Sequence, residues 1–226
     1  MKALSKRYKE SEKQIDRKQV YQLKEAVTLL KKMKPVKFDE SVDLHFNLNI
    51  DPKKSEQMVR GTVVLPHGSG KKVRVAVFCK GEHELLAKEA QADYVGGMDL
   101  IEKVGGGFLD FDCAIATPEM MKDLSKLGKV LGPRGLMPSP KTGTVTNDIV
   151  KAIEDVRKGK VEFRVDKQGG IHLGVGKISF SEDKIVENAA RVIEAINEAK
   201  PASVKGKFVQ VLYISTTMNP GLALAI

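Results

Sequence analysis

The apolar residues of this chain keep two different periods, and the switch between them limits what it can fold into. Val42, Leu44, Phe46, Leu48 and Ile50 alternate with polar neighbours, the pattern of a strand with one buried and one open face. From Gly68 to Arg157 the alternation stops. VRVAVF and FDCAIAT are continuous apolar runs, separated by the helical stretches GEHELLAKEAQ and MDLIEKV and the short strand end ADYVGG. Uninterrupted Val/Ile/Ala strands alternating with helices mark a parallel sheet covered on both faces. PEMMKDLSKL then starts a helix, GKVLGPRGLMPSPKTGTV is loop-like, and TNDIVKAIEDVRKG is a helix capped by Thr146 or Asn147 and ended by Gly159.

After Lys158 the alternating style returns. VEFRVDKQGGIHLGVGKISF reads as a hairpin-like pair around Gly169 and Gly170, and FVQVLYIST as a last strand. Between them SEDKIVENAARVIEAINEAK is an amphipathic helix with Ser181 as its cap and Ile185, Ala189, Val192, Ile193 and Ile196 on one face. A further amphipathic helix is expected over the N-terminal stretch through Lys34, carrying Val20, Leu23, Val27 and Leu30 and stopped before Pro35. The sequence therefore predicts an α+β domain built from residues 1–67 and 158–226, with an α/β domain of residues 68–157 inserted in it. Two linkers would join them, with Pro66, Gly68 and Gly70 in one and Lys158 and Gly159 in the other, and would let the domains hinge.

Charge follows the same division. Residues 1–67 hold 15 Lys+Arg against 9 Asp+Glu and residues 158–226 hold 10 against 7, whereas residues 68–157 hold 13 of each. All of the formal +9 thus lies in the two end segments. A positive field of this kind concentrates and steers a polyanion. With 42% hydrophobic and 30% charged residues the composition is that of a folded globular protein, and 5% aromatic content leaves its cores to Val, Ile, Leu and Ala. No apolar run approaches the ~20 residues of a membrane span, and MKALSKRYKESEK lacks the apolar stretch of a secretory signal. A cytoplasmic protein without membrane partners is expected. Cys79 and Cys113 sit in apolar runs, as buried thiols rather than as a disulfide or metal pair.

Catalytic and metal chemistry finds little footing. His45, His67, His83 and His172 are scattered without metal-ligand spacing, and there is no G-x-S-x-G elbow. GSGKK at Gly68 to Lys72 departs from a phosphate loop, with Leu65 where glycine is needed and Lys72 in place of the Ser/Thr. Gly105, Gly106 and Gly107 follow a helix instead of opening one. Neither a cofactor nor a catalytic residue is assigned. The alternative is a small-molecule or nucleotide-binding enzyme on the inserted α/β domain, with ligands at the carboxyl edge of its sheet.

Nucleic-acid binding has more support. KPVKFDE sets Phe38 beside Lys37 in a loop, where it either stacks on a base or covers the core edge. RVDKQGGIH places Arg164, Lys167 and His172 about a glycine turn, a ligand-facing arrangement or a solvated hairpin. STTMNPG closes the last strand with hydroxyls suited to ribose and phosphate contacts. Taken in order, KFDESVDLHFNLNIDPKKSEQMVRGTVVLPHGSGK, GKVLGPRGLMPSPKTGTV, EFRVDKQGGIHLGVGKISF and STTMNPG resemble the L-one family of bacterial large-subunit ribosomal proteins nearly end to end. The resemblance implies the split α+β domain with a Rossmann-like insert, and binding to 23S-type rRNA to form the mobile stalk by the tRNA exit site. It also implies help in releasing deacylated tRNA, repression of the chain's own mRNA, and a monomer when free. It carries an RNA site onto Lys37, Phe38, Asp166, Lys167, His172, Thr216, Thr217, Met218 and Gly221, to which the reading of RVDKQGGIH adds Arg164. A secondary loop facing rRNA or tRNA would present Arg134, Met137 and Lys141. Asn219 departs from the family's usual glycine, and the apolar ending LALAI departs from its usual tail.

Overall fold

The structure, a computed structural model, describes residues 5–16, 19–33, 36–52, 54–204 and 206–225. Two helices stand where one was expected at the N-terminus: α1 (Lys6–Lys13) and α2 (Leu23–Lys32). Ser5 caps α1, its hydroxyl accepting the Tyr8 amide at 3.2 Å. The chain opens out between the helices because Tyr21 forms a parallel bridge with Leu224, while its hydroxyl accepts the Asp16 amide. Val20, expected on the apolar helix face, is 58% exposed. The expected stop at Lys34 and Pro35 lies outside the described residues; α2 has already ended at Met33, which is extended.

The remaining elements follow in order: β1 (Ser41–Leu48), β2 (Arg60–Val64), β3 (Val75–Phe78), α3 (Glu82–Glu89), β4 (Tyr94–Gly96), α4 (Met98–Gly105) and β5 (Cys113–Ala116). Then come α5 (Met121–Leu124), α6 (Gly128–Leu131), α7 (Ile149–Arg157), β6 (Lys160–Arg164), β7 (Gly170–Lys177), α8 (Glu182–Glu198), β8 (Val209–Thr216) and β9 (Leu222–Ala223). The chain divides into two compact units, Met1–Gly70 with Val161–Ile226, and Lys71–Lys160.

In the first unit β1 and β8 are the inner strands of an antiparallel sheet ordered β7-β1-β8-β9. The alternation of β1 is realised through Leu48: Val42, Leu44, Phe46 and Leu48 are buried, with Ile171, Leu173, Val175, Leu212 and Ile214 beside them, while Ile50 lies past the strand end and is half-buried. Helices α2 and α8 cover that face, contributing Val27, Leu30, Ile185, Val192 and Ile196. The expected hairpin is corrected. Its turn forms, but β6 pairs with β2 while β7 pairs with β1. Phe163 is the reason on the β6 side, since a side chain at Gly61 of β2 would meet its ring at 2.7 Å. The LALAI ending, unexplained from sequence, completes the sheet edge: Leu222 and Leu224 are buried, and Ala225 donates its amide to the Tyr21 carbonyl at 3.0 Å.

In the second unit β4, β3 and β5 run parallel, in that order. Ala76 and Phe78 of β3 point into one core with Val104 and Leu124, and Val75 and Val77 into another with Ile149 and Ile153. Burial on both faces is why these runs do not alternate. Asp148, rather than Thr146 or Asn147, caps α7, its carboxylate accepting the Lys151 amide at 3.3 Å. The loop-like segment is held by short helical turns, α6 and Pro140–Thr142, and by the Thr142 and Thr144 hydroxyls around Ser139. Cys79 is fully buried, and burial pushes its thiol up to about 11. Among the described residues no helix is long and apolar enough to cross a membrane.

A buried amide ties α8 to the chain after β2. Asn188 is 0% exposed; it donates to the Val175 carbonyl at 2.7 Å and the Gly68 carbonyl at 3.0 Å, and accepts the His67 amide at 3.1 Å. Removing it strands buried polar groups, each costing about 1–3 kcal/mol. Asn188→Ala is expected to lower unfolding stability by about 3 kcal/mol. Urea titration would check this, with an unchanged m-value and a lower midpoint.

Candidate nucleic-acid interface

The sheet of the first unit has a second face. Side chains on a strand alternate, so burying Leu44 and Phe46 turns Asp43, His45 and Asn47 the other way. Register builds one row across this face, His172 on β7, His45 on β1, Tyr213 on β8 and Ala223 on β9. The two imidazoles touch through their Nδ1 atoms at 2.9 Å, with ring centroids 5.1 Å apart. His45 Nε2 meets the Ser215 hydroxyl, also at 2.9 Å. Burial first, and then the neighbouring His172, hold His45 below the ordinary imidazole range, with Asp43 pulling the other way. The row thus offers imidazole and an exposed phenol ring, with the Ser215 hydroxyl beside them.

The N-terminal end of β1 gathers one group of the sequence-predicted residues. Lys37 is exposed, and Phe38 is 52% exposed and stands outside the core cluster, so it does not cover the core edge. The loop is pinned by Asp39, whose carboxylate accepts the Ser179 amide and hydroxyl, and by Glu40, whose carbonyl accepts the Ile178 amide. Thr217 arrives beside it from the end of β8. Its hydroxyl accepts the Ser41 amide at 3.1 Å, and its amide donates to the Ser41 carbonyl at 3.1 Å. Met218 is 47% exposed, and its amide is held by the buried Glu40 carboxylate at 2.9 Å. Gly221 is exposed on the same turn.

The other group sits at the opposite end. β7 is antiparallel to β1, so Gly170 lies against Asn47 while Lys177 lies against Ser41, about 20 Å away along the strand. Arg164, Asp166 and Lys167 are all exposed at this turn. Asp166 builds it: one carboxylate oxygen accepts the Gly170 amide at 2.7 Å and the Gln168 amide at 2.8 Å. Those amides hold its carboxyl below the usual carboxylate range. Gly169 has a φ of +85°, and a Cβ there would meet the Leu48 carbonyl at 3.2 Å, so glycine is required. Beside the turn opens a cleft of about 630 Å³ lined by Pro52, Met58, Arg164 and Lys167. His172, between the two groups, is 58% exposed and lies 3.7 Å from Asp166.

Thr216 does not reach solvent. It is 2% exposed, and its hydroxyl accepts the Asn219 side-chain amide at 2.9 Å. Asn219 itself is 8% exposed and needs no left-handed backbone, since Gln91 alone among the described non-glycine residues has positive φ. Its amide also donates to Glu40, and its oxygen accepts Arg7 Nη1 at 2.9 Å. In the second unit Arg134 and Lys141 are exposed, while Met137 is half-buried against the core. Of the predicted linker residues, Pro66 is exposed, and Gly68 and Gly70 have φ of +69° and +70°. Lys158 caps α7, bonding Glu154 at 2.9 Å, and Gly159 follows with φ of +99°. Sequence reasoning missed Lys177, whose ammonium bonds the Ser41 hydroxyl at 3.0 Å, and Tyr213 and Ser215; the alternation of FVQVLYIST carried the signal for the last two.

A sequence profile of the ribosomal protein L1p/L10e family matches residues 30–220. The large ribosomal subunit protein uL1 of Thermosipho melanesiensis is 55% identical over 219 residues, covering 96% of this chain and 94% of its own. The uL1 proteins of Fervidobacterium nodosum and Solibacter usitatus are 56% and 54% identical; each alignment covers 97% of this chain, with 94% and 92% of theirs. With a profile spanning most of its length and relatives more than half identical from end to end, the chain belongs to the ribosomal protein L1p/L10e family.

Proposed function

We propose that the first unit is the RNA-binding domain of a large-subunit stalk protein, assembled from both ends of the chain, and that Lys71–Lys160 is its Rossmann-like insert. The observation that carries this reading is the face of β7-β1-β8 turned away from α2 and α8, bordered at both ends by exposed cations and apolar side chains. Lys37, Arg164 and Lys167 neutralise phosphates. Phe38 and Met218 press on ribose or base, and His172, His45 and Tyr213 fill the span between. Thr216 and Asp166 position the turns rather than touch RNA. The first unit holds 23 Lys+Arg against 16 Asp+Glu and the second 15 against 13, so the surplus favours this surface.

The RNA is 23S-type rRNA near the tRNA exit site, where the protein assists release of deacylated tRNA through Arg134, Met137 and Lys141. The same surface takes a similar structure in the chain's own mRNA and represses its translation. Family membership supports the ribosomal part of this reading and weighs against an enzyme on the insert.

Three outcomes are expected. In rRNA binding across a salt series, Lys167→Gln should reduce the slope of log K against log salt by about 0.7–0.9, one phosphate's worth. A slope unchanged by the substitution removes Lys167 from the surface. Thr217→Val should lower both RNA affinity and stability, the latter by about 1 kcal/mol, because the Ser41 amide loses its acceptor, whereas Thr217→Ser restores both. Fluorescence titration and thermal melting read the two effects. The third concerns pH. Because folding depresses His45, the unfolded chain takes up the proton first as pH falls below 6.5, so stability declines toward the native value. RNA phosphate favours the charged ring, so affinity should rise over the same interval. His45→Gln is expected to flatten both trends, measured between pH 7.5 and 5.5.

A further inference from the structure

Helix α1 is fastened to the turn that carries Met218, and this gives the RNA surface a wall that the strands alone do not supply. Arg7 donates through Nη2 to the Met218 carbonyl at 2.6 Å and through Nη1 to Asn219 at 2.9 Å. Ser11, 1% exposed, donates to the same Asn219 oxygen at 3.3 Å. Asn219 is in turn seated on Glu40 and Thr216, so the helix is anchored to the base of the sheet by a buried polar cluster. Between α1 and the β8–β9 edge this leaves a cleft of about 300 Å³ walled by Tyr8, Ile15, Asp16, Tyr213, Pro220 and Leu222. That size is the lower end of small-ligand clefts.

We propose that this cleft receives one unstacked nucleobase of the RNA bound by the open face; the proposal rests on the RNA-binding reading above. The chemistry fits a base. Two phenol rings and aliphatic walls accept any π-face. Continuity fits as well. Tyr213 occupies the next register position to His45 in the row across the face, and Gly221, which also lines the cleft, follows Met218 on the turn. Charge fits the strand that would carry the base. Lys6, Lys9 and Lys13 are exposed and fall on one side of α1 by their spacing of three and four, available to phosphates flanking the inserted nucleotide. Asn219 therefore has a second role: the side chain that departs from the expected glycine holds the helix that forms the cleft.

The test uses the full chain labelled with 3-fluorotyrosine and a transcript of the large-subunit stalk rRNA. Its four tyrosines, Tyr8, Tyr21, Tyr94 and Tyr213, give separate fluorine signals. Tyr8 and Tyr213 should shift saturably with added transcript, while Tyr94, in the second unit, stays in place. Tyr8→Ala should weaken the transcript about tenfold or more, the effect of losing one stacked base, and Tyr8→Phe should keep wild-type affinity. A transcript that binds without moving Tyr8, or that binds Tyr8→Ala as tightly as the parent, overturns the cleft while leaving the open face standing. A transcript that does not bind the wild-type chain at all overturns the RNA-binding reading and the cleft with it.

Discussion

Strand β1 has backbone donors and acceptors along both edges, and everything in the first unit follows from how they are met. Unpaired main-chain groups inside a fold are costly, so an inner strand requires two neighbours. Both come from the far side of residue 160: β7 runs back along one edge and β8 along the other. Once β1 is central, its alternation decides which face is buried. Val42, Leu44, Phe46 and Leu48 turn toward α2 and α8, and the opposite face is left with a charge, two amide-sized or imidazole groups and open space. The candidate interface is therefore the by-product of a strand's pairing and period rather than a separately built pocket.

Three of the acidic residues near that face are already engaged. Asp39 holds the Ser179 amide, Glu40 holds the Met218 amide, and Asp166 holds the Gln168 and Gly170 amides. Backbone donors stabilise a carboxylate without adding a cation, so each acid fixes a loop while the neighbouring lysines and arginine stay available. Where the turn needs a cation, Arg7 supplies it from α1, well away from Arg164 and Lys167. The proposed phosphate surface can thus engage Asp39, Glu40 and Asp166 and still present positive charge outward.

Periodicity made much of this legible. The alternation of SVDLHFNL and the continuous VAVF run each matched their burial, because burial on one face or two is what period records. Pairing was not legible. VEFRVDKQGGIH looks local, yet β6 and β7 go to different sheets, since the choice is set by Phe163 against Gly61 and by the edge of β1. The N-terminal break escaped for the same reason: Tyr21 leaves a helical pattern for a partner, Leu224, that lies two hundred residues along. Site residues showed a parallel split. Phe38, Met218 and Lys167 were found as exposed chemistry, whereas the burial of Thr216 and the reach of Asn219 toward Arg7 depend on a tertiary niche that no local pattern encodes.

Asn219 shows why such niches matter for function. Glycine there would leave Glu40 with fewer donors, and Arg7 and Ser11 of α1 without the side-chain acceptor they share. Buried polar groups contribute little net stability but specify one arrangement, because every alternative leaves a donor or acceptor unmet. In this chain that specificity connects the first helix to the last turn. Met218 stands exposed on a loop, yet its carbonyl, its amide and its neighbour's side chain are all held from beneath. An exposed thioether on a fixed backbone meets a folded RNA with less ordering cost than one on a free loop, and that is what the buried cluster provides.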